Sequence, residues 1–353
     1  MCIRDSFNTL LWSGDGNNSR AITGLGFQPD FTWIKRRNQD IQHEWMDAVR
    51  GAGDKALSPH TAGGEGQGTT DLSSFNTDGF TLNSGADVNA SGGTYVAWNW
   101  LAGNGTSTPS GGSIASTVSA NPSAGFSIVS YTGNNTAGAT VAHGLGVPPK
   151  MMIIKDRDAQ TRWIVYHETQ GNAGYIRLDS TNGFNSDTTV FNSTSPSSTV
   201  FTLGSSINTN PNGNNTIAYC FAEVEGYSKF SSYVANGSND GAFVYTGFKP
   251  AWILIKQITS INTNCHWFIL DTVRKTYNVI GDEALVANQS WEEGLANNWN
   301  PNTSGAMLDI YSNGFKTRTT STSGFNQNGA TYVYAAFASH PFGGSGVSPA
   351  TAR

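Results

Sequence analysis

The side chains in this sequence best suited to recognition chemistry are aromatic. Trp and Tyr rings stack on the apolar faces of sugars, while the indole N–H and phenol O–H bond hydroxyls. Trp291, Trp299 and Tyr311 fall in a stretch with no counterpart elsewhere in the chain, and are expected to form an exposed, ligand-binding set. Residues for catalysis do not assemble in the same way. There is no Gly-x-Ser-x-Gly elbow, no phosphate loop ending in Gly-Lys-Ser/Thr and no His-Glu-x-x-His. His43, His60, His143, His167, His266 and His340 are scattered, with no pair at helical metal-ligand spacing. The expectation is a non-enzymatic protein with no catalytic residue, no metal ligand and no cofactor.

Acids could still cleave a glycan if two of them faced a sugar across a cleft. Asp47 and Asp271 recur in equivalent places, each followed three residues later by Arg50 and Arg274. A recurring Asp-x-x-Arg fits a structural ion pair better than an acid/base couple, because a catalytic pair is normally unique. Glu292 and Glu293 are adjacent, so on a helix they diverge.

These residues are positioned by a repeat. Gly24-Leu25-Gly26-Phe27-Gln28-Pro29-Asp30-Phe31-Thr32-Trp33-Ile34-Lys35 lines up with Gly144-Leu145-Gly146-Val147-Pro148-Pro149-Lys150-Met151-Met152-Ile153-Ile154-Lys155 and with Gly247-Phe248-Lys249-Pro250-Ala251-Trp252-Ile253-Leu254-Ile255-Lys256. A Trp follows each, at Trp45, Trp163 and Trp267, and is expected in the core. After each Pro, both faces of the strand are apolar, which marks a central strand buried on both sides. Lys35, Lys155 and Lys256 close these strands and are expected to snorkel to solvent. Trp98 and Trp100 share a strand face and are also expected to be buried.

The repeats give three units at 7–101, 124–226 and 227–343. Each is expected to be a β-sandwich or jelly-roll-like module of six to eight strands. Between the first two, 102–123 is a Gly/Ser/Thr-rich linker, and 344–353 reads as a tail spacer. Met1–Ser6 reads as a translated sequencing-adapter remnant rather than part of the fold. Helix is expected only over Asp282–Asn297.

Composition narrows the partners. Lys+Arg total 20 against 25 Asp+Glu, and the longest basic run is Lys35-Arg36-Arg37, so no nucleic-acid footprint is present. No apolar run reaches the length of a membrane-spanning helix, so no membrane insertion is expected. Cys2, Cys220 and Cys265 cannot build a disulfide framework.

With Gly-Phe-Gln-Pro-Asp-Phe-Thr-Trp-Ile-Lys, Asp-Ala-Val-Arg-Gly and Tyr-Val-Ala-Trp-Asn-Trp in order, and Ala218-Tyr219-Cys220-Phe221-Ala222-Glu223-Val224-Glu225-Gly226-Tyr227 in the middle unit, the chain resembles a family of repeated β-domains in virion and tail-fibre proteins of marine bacteriophages. The resemblance runs from about residue 7 to 342 and carries no assigned activity and no catalytic residues. It implies a virion structural protein on a tail or surface appendage, at the extracellular face, contributing to host surface recognition through a glycan or surface protein. Other virion or tail proteins are the implied partners, and a homo-oligomer, with a trimer favoured, is the implied assembly. A tail-associated glycan depolymerase and a bacterial surface adhesin are the alternatives.

Overall fold

Runs of β-branched and aromatic residues separated by Gly, Asn and Ser turns fold here as an all-β protein. The computed structural model describes residues 6–66, 71–259, 265–276, 278, 283–294, 307–320 and 324–338. Among them there is no α-helix, and the one helical element is the 3-10 turn Glu168–Gln170. Residues 1–5 of the expected leader and the expected tail spacer 344–353 lie outside the described residues. Ser6 belongs to the body: it is buried, and its carbonyl accepts the Leu101 N–H at 2.9 Å.

Three successive segments of chain each supply a larger and a smaller antiparallel sheet. In the first, the larger sheet runs β1 (Phe7–Ser13), β7 (Thr94–Trp100), β3 (Phe31–Arg36), β4 (His43–Asp47), and the smaller runs β2 (Arg20–Thr23), β6 (Gly79–Leu82), β5 (Leu72–Asn76). In the middle segment the larger sheet runs β8 (Ser116–Asn121), β9 (Phe126–Thr132), β16 (Asn215–Phe221), β11 (Met151–Asp156), β12 (Ile164–His167), β13 (Gly174–Arg177), β14 (Asn185–Ser186). Its smaller sheet pairs β10 (Ala139–Ala142) with β15 (Val200–Leu203). The last segment has β17 (Ser228–Val234), β24 (Thr331–Ala338), β19 (Pro250–Gln257), β20 (Trp267–Asp271), β21 (Leu285–Val286), with β18 (Phe243–Tyr245), β23 (Gly314–Thr317), β22 (Leu308–Tyr311) as the smaller sheet.

The strands that follow Pro29, Pro149 and Pro250 are interior in their sheets and buried on both faces. One face of each larger sheet packs against its own smaller sheet: Ile34 with Phe80 in the first segment, Ile154 with Phe201 in the middle, Ile255 with Phe315 in the last. The opposite faces meet in one shared core, which holds Phe31, Trp33, Trp45, Trp98, Trp100, Trp163, Tyr219, Trp252, Trp267 and Phe337. Rings cross every boundary, with Trp45 against Trp163 at 4.9 Å, Phe221 against Phe337 at 6.1 Å and Trp252 against Trp100 at 5.4 Å between centroids.

Polar contacts close the three segments into a ring. Lys35 Nζ donates to Ser290 O at 3.0 Å, Lys155 Nζ to Ala62 O at 3.2 Å and Lys256 Nζ to Ser180 O at 3.1 Å. Each lysine thus reaches a carbonyl of another segment: first to last, middle to first, last to middle. The expected snorkelling is overturned, since all three lysines are fully buried. Carbonyls delivered by the neighbouring segment replace water as their acceptors, and burial lowers Lys35 to about 7, Lys155 to about 8 and Lys256 to about 7.

Three other expectations change. Within 282–297, Leu285–Val286 is a strand paired with Ile269 and Phe268, because closing the sheet edge outweighs local helix propensity. The linker 102–123 contains strand β8, and Ile114 is buried against Val141, so only its first part is a connector. Finally, Trp45 is core but not equivalent to Trp267: Lys256 faces Trp267 whereas Lys35 faces His43, so His43 occupies that register and Trp45 lies two residues further on.

Candidate functional site

The smaller sheet of the last segment turns aromatic side chains outward. Along β18, Val244 points into the sandwich, which turns Phe243 and Tyr245 outward, at 47% and 64% exposure. Along β22, Leu308 and Ile310 point in and Tyr311 points out, partly exposed. Tyr245 and Tyr311 both face Gly314 in register, one from each side. With no side chain at that position, the surface between the two phenols stays open. Phe243 meets Tyr311 edge to face, with centroids 5.7 Å apart at 84°. Among the described residues Phe243 and Tyr245 are the only aromatic side chains that are exposed outright.

Charged groups border this face. Lys316 lies opposite Phe243 and pairs with Asp240 at 2.5 Å, and Arg318 pairs with Asp309 at 3.1 Å. The Lys316 ammonium beside Asp240 holds its carboxyl below the usual carboxylate range. Tyr245 also forms one wall of an open groove of about 620 Å³, together with Thr246, Gly247, Glu223, Glu225 and Lys229. Stacking rings beside carboxylates and ammonium groups make a surface that can pack on a sugar's apolar face and bond its hydroxyls.

Of the residues the sequence singles out, Tyr311 stands on this face. Trp291 does not: it is half-buried, packs on the last sandwich's core and meets His266 at 5.1 Å between centroids. Its neighbours hold the seam with the first segment, where Glu292 N–H donates to Asp40 at 2.7 Å and Glu293 N–H to Arg37 O at 2.7 Å. Trp299 lies outside the described residues. Phe243 and Tyr245 escape the sequence reading, because Phe243-Val244-Tyr245 is apolar on both faces and reads as core. The sequence signal that was available is their position between Gly241 and Gly247, which marks a short strand at a sheet edge.

Several other groups that could do chemistry are engaged within the body. Asp47 pairs with Arg50 and Asp271 with Arg274, each at 2.5 Å with the side chains fully buried or nearly so, as the recurrence of the pattern leads one to expect. Glu293 is paired with Arg37 across the seam. Burial pushes His167 and His266 down to about 4, and it also lowers His143. The cavity at the centre of the shared core, lined by Trp33, Trp45, Trp100 and Trp252, measures only about 20 Å³ and has room for a single water at most.

A family model described as a domain of unknown function (DUF7483) matches residues 4–341, nearly the whole chain. No curated protein and no solved structure matches it.

Proposed function

We propose, for a chain that belongs to this family of unknown function, a non-enzymatic role on the outside of a bacteriophage virion. In this reading it is a tail-fibre or surface-appendage protein that offers the Phe243, Tyr245 and Tyr311 face to a host surface glycan. The observation that carries the reading is the exposure of those rings on a body that, among the described residues, leaves no other aromatic side chain exposed outright. Such side chains cost solubility wherever they are left uncovered, so their retention on one sheet points to a partner that covers them. Assembly with other virion proteins, as a trimer, belongs to the same reading. Because the three segments already share one tryptophan-rich core within one chain, the trimer would be held by outer surfaces.

The test is a glycan array and a host-cell binding assay on the full chain, with a Tyr245→Ala/Tyr311→Ala double variant. Loss of binding by at least tenfold, with an unchanged melting temperature, supports the reading. Undiminished binding by the double variant, or no binding by well-folded protein, removes it in favour of a purely architectural part. Mass spectrometry of purified virion subassemblies tests the location.

A further inference from the structure

Position 44 breaks the apolar rule that its strand obeys elsewhere. In the three larger sheets Ile34 faces Glu44, Ile154 faces Ile164 and Ile255 faces Phe268. Two of these equivalent sites inside the sandwiches thus carry apolar side chains, and the first carries a carboxylate. Glu44 is 1% exposed, and neither of its carboxylate oxygens has a hydrogen-bond partner.

Two more acids converge on it. Asp71 is buried just before β5, and Asp87 is half-buried in the turn that leads to β7. One carboxylate oxygen from each of the three lies within 4.8 Å of the others. The Gln42 amide bonds Asp87 at 3.4 Å and offsets part of the charge on Glu44. The cations that bear on the cluster are engaged elsewhere: Arg50 is held by Asp47, Lys35 donates to the carbonyls of Gln39, Ile41 and Ser290, and Arg36 bonds Asn38 and the carbonyl of Ala86. Burying an unpaired carboxylate is expensive, and two like charges beside it add to the cost.

We propose that Glu44, Asp71 and Asp87 ligate a hard divalent cation, with calcium the best fit. An all-oxygen, all-carboxylate donor set suits calcium, magnesium or manganese and offers nothing to the softer metals that seek imidazole or thiolate. The ion supplies the missing positive charge. It also ties the larger sheet, through β4, to the strand and the turn that frame the smaller sheet, so its role is to brace the first sandwich.

The experiment uses the full chain stripped with EDTA, titrated with calcium chloride and, in parallel, with magnesium and manganese chlorides, and followed by thermal unfolding and calorimetry. A cation at about 100 times its Kd raises Tm by about 4 °C. Glu44→Gln, close to isosteric, abolishes that response and is at least as stable as the parent in EDTA, because it removes a buried charge. Asp87→Asn, at the half-buried ligand, weakens binding at least tenfold and keeps the test open should the position-44 variant not fold. No response of the parent to any of the three cations overturns the proposal. So does a response of equal size in either variant.

Discussion

Trp98 in the first segment donates its indole N–H to the Asp271 carboxylate in the last at 3.0 Å, and the Tyr219 hydroxyl in the middle segment donates to Asp47 in the first at 2.7 Å. Asp47 and Asp271 hold the same register on their sheets, opposite Phe31 and Trp252. His167 takes that register in the middle segment, opposite Met151, and bonds Tyr334 O in the last at 3.3 Å. Each carboxylate thus joins its own arginine to an aromatic donor from another segment. Removing the donor alone, in Tyr219→Phe, costs the bond to Asp47, about 1.5–3 kcal/mol, and with it the bond the hydroxyl accepts from Arg50 at 3.2 Å. Removing the acid, in Asp47→Ala, takes from the buried Arg50 its nearest carboxylate, leaving only Glu65 at 3.6 Å, and costs more, about 3–5 kcal/mol. Urea denaturation of the two variants should rank them in that order; equal midpoints would show that Asp47 is not what holds Arg50 in place.

Trp252 shows why the segments should not unfold one by one. Its ring lies within 6.4 Å, between centroids, of Phe7, Trp33, Trp98 and Trp100, all from the first segment. Trp252→Ala therefore empties space between segments rather than within one, at about 3–5 kcal/mol. Calorimetry of the parent should give one transition, lowered as a whole by the substitution. Residues 7–101 expressed alone would expose the face carrying Phe31, Trp33 and Trp100, and should not show cooperative unfolding. Three resolved transitions, or a stable isolated fragment, would mean that the segments are independent.

How much of this is legible in the sequence depends on whether the deciding contact is local. The strands after Pro29, Pro149 and Pro250 carry apolar residues at both parities, and that alone gives their double burial. The fate of Lys35 is not legible, because a lysine at a strand end reads the same whether it meets water or the carbonyl of Ser290, far along the chain. Leu285 and Val286 sit among helix formers, and only their pairing with β20 makes them a strand. Of the expected recognition set, Tyr311 is recoverable because it lies outside the repeated landmarks, whereas Trp291 shares that property and is recruited to the seam instead. Phe243 and Tyr245 alternate with Val244, and nothing local says which of the two faces is covered.

Stability should rise with pH across two windows. His167 and His266 titrate at about 4 in the folded protein, mainly because they are buried, against 6.5 for the free group. Between those values these two histidines hold more protons in the unfolded chain, so the stability they contribute falls as the pH is lowered from about 6.5 toward 4, against the opposite contribution of Asp87, which burial raises to about 6. Lys155 at about 8 and Lys256 at about 7 stand below their ordinary 10.5, again through burial. The unfolded chain again holds the extra protons, so stability climbs from about pH 7 toward 10, where tyrosine ionisation in the unfolded chain begins to oppose it. Melting temperatures from pH 4.5 to 9.5 test both limbs. Lys256→Met should flatten the alkaline one, and a parent curve that is level from pH 7 to 9.5 would show that the lysines keep their charge by some other means.

Gly314 links the fold to the proposed binding face. A Cβ there would sit 2.1 Å from the carbonyl oxygen of Val244 and 3.0 Å from the Phe243 ring, so the strands must part to admit even alanine. The conflict is with backbone, which a change of rotamer cannot relieve. Gly314→Ala should cost about 1–3 kcal/mol, the usual range for forcing a methyl group into a packed site. The loss would centre on the pairing of β18 with β23, because Phe243, Val244 and Tyr245 are aligned through Lys316, Phe315 and Gly314. Tyr245 and Tyr311 would lose the open floor between them, while the larger sheets and the shared tryptophan core keep their contacts. The variant should therefore stay folded by near-ultraviolet circular dichroism, show faster amide exchange confined to these outer strands, and lose glycan binding to the same degree as the Tyr245→Ala/Tyr311→Ala protein. Full binding with the outer strands loosened would separate recognition from this sheet and move the search to other surfaces.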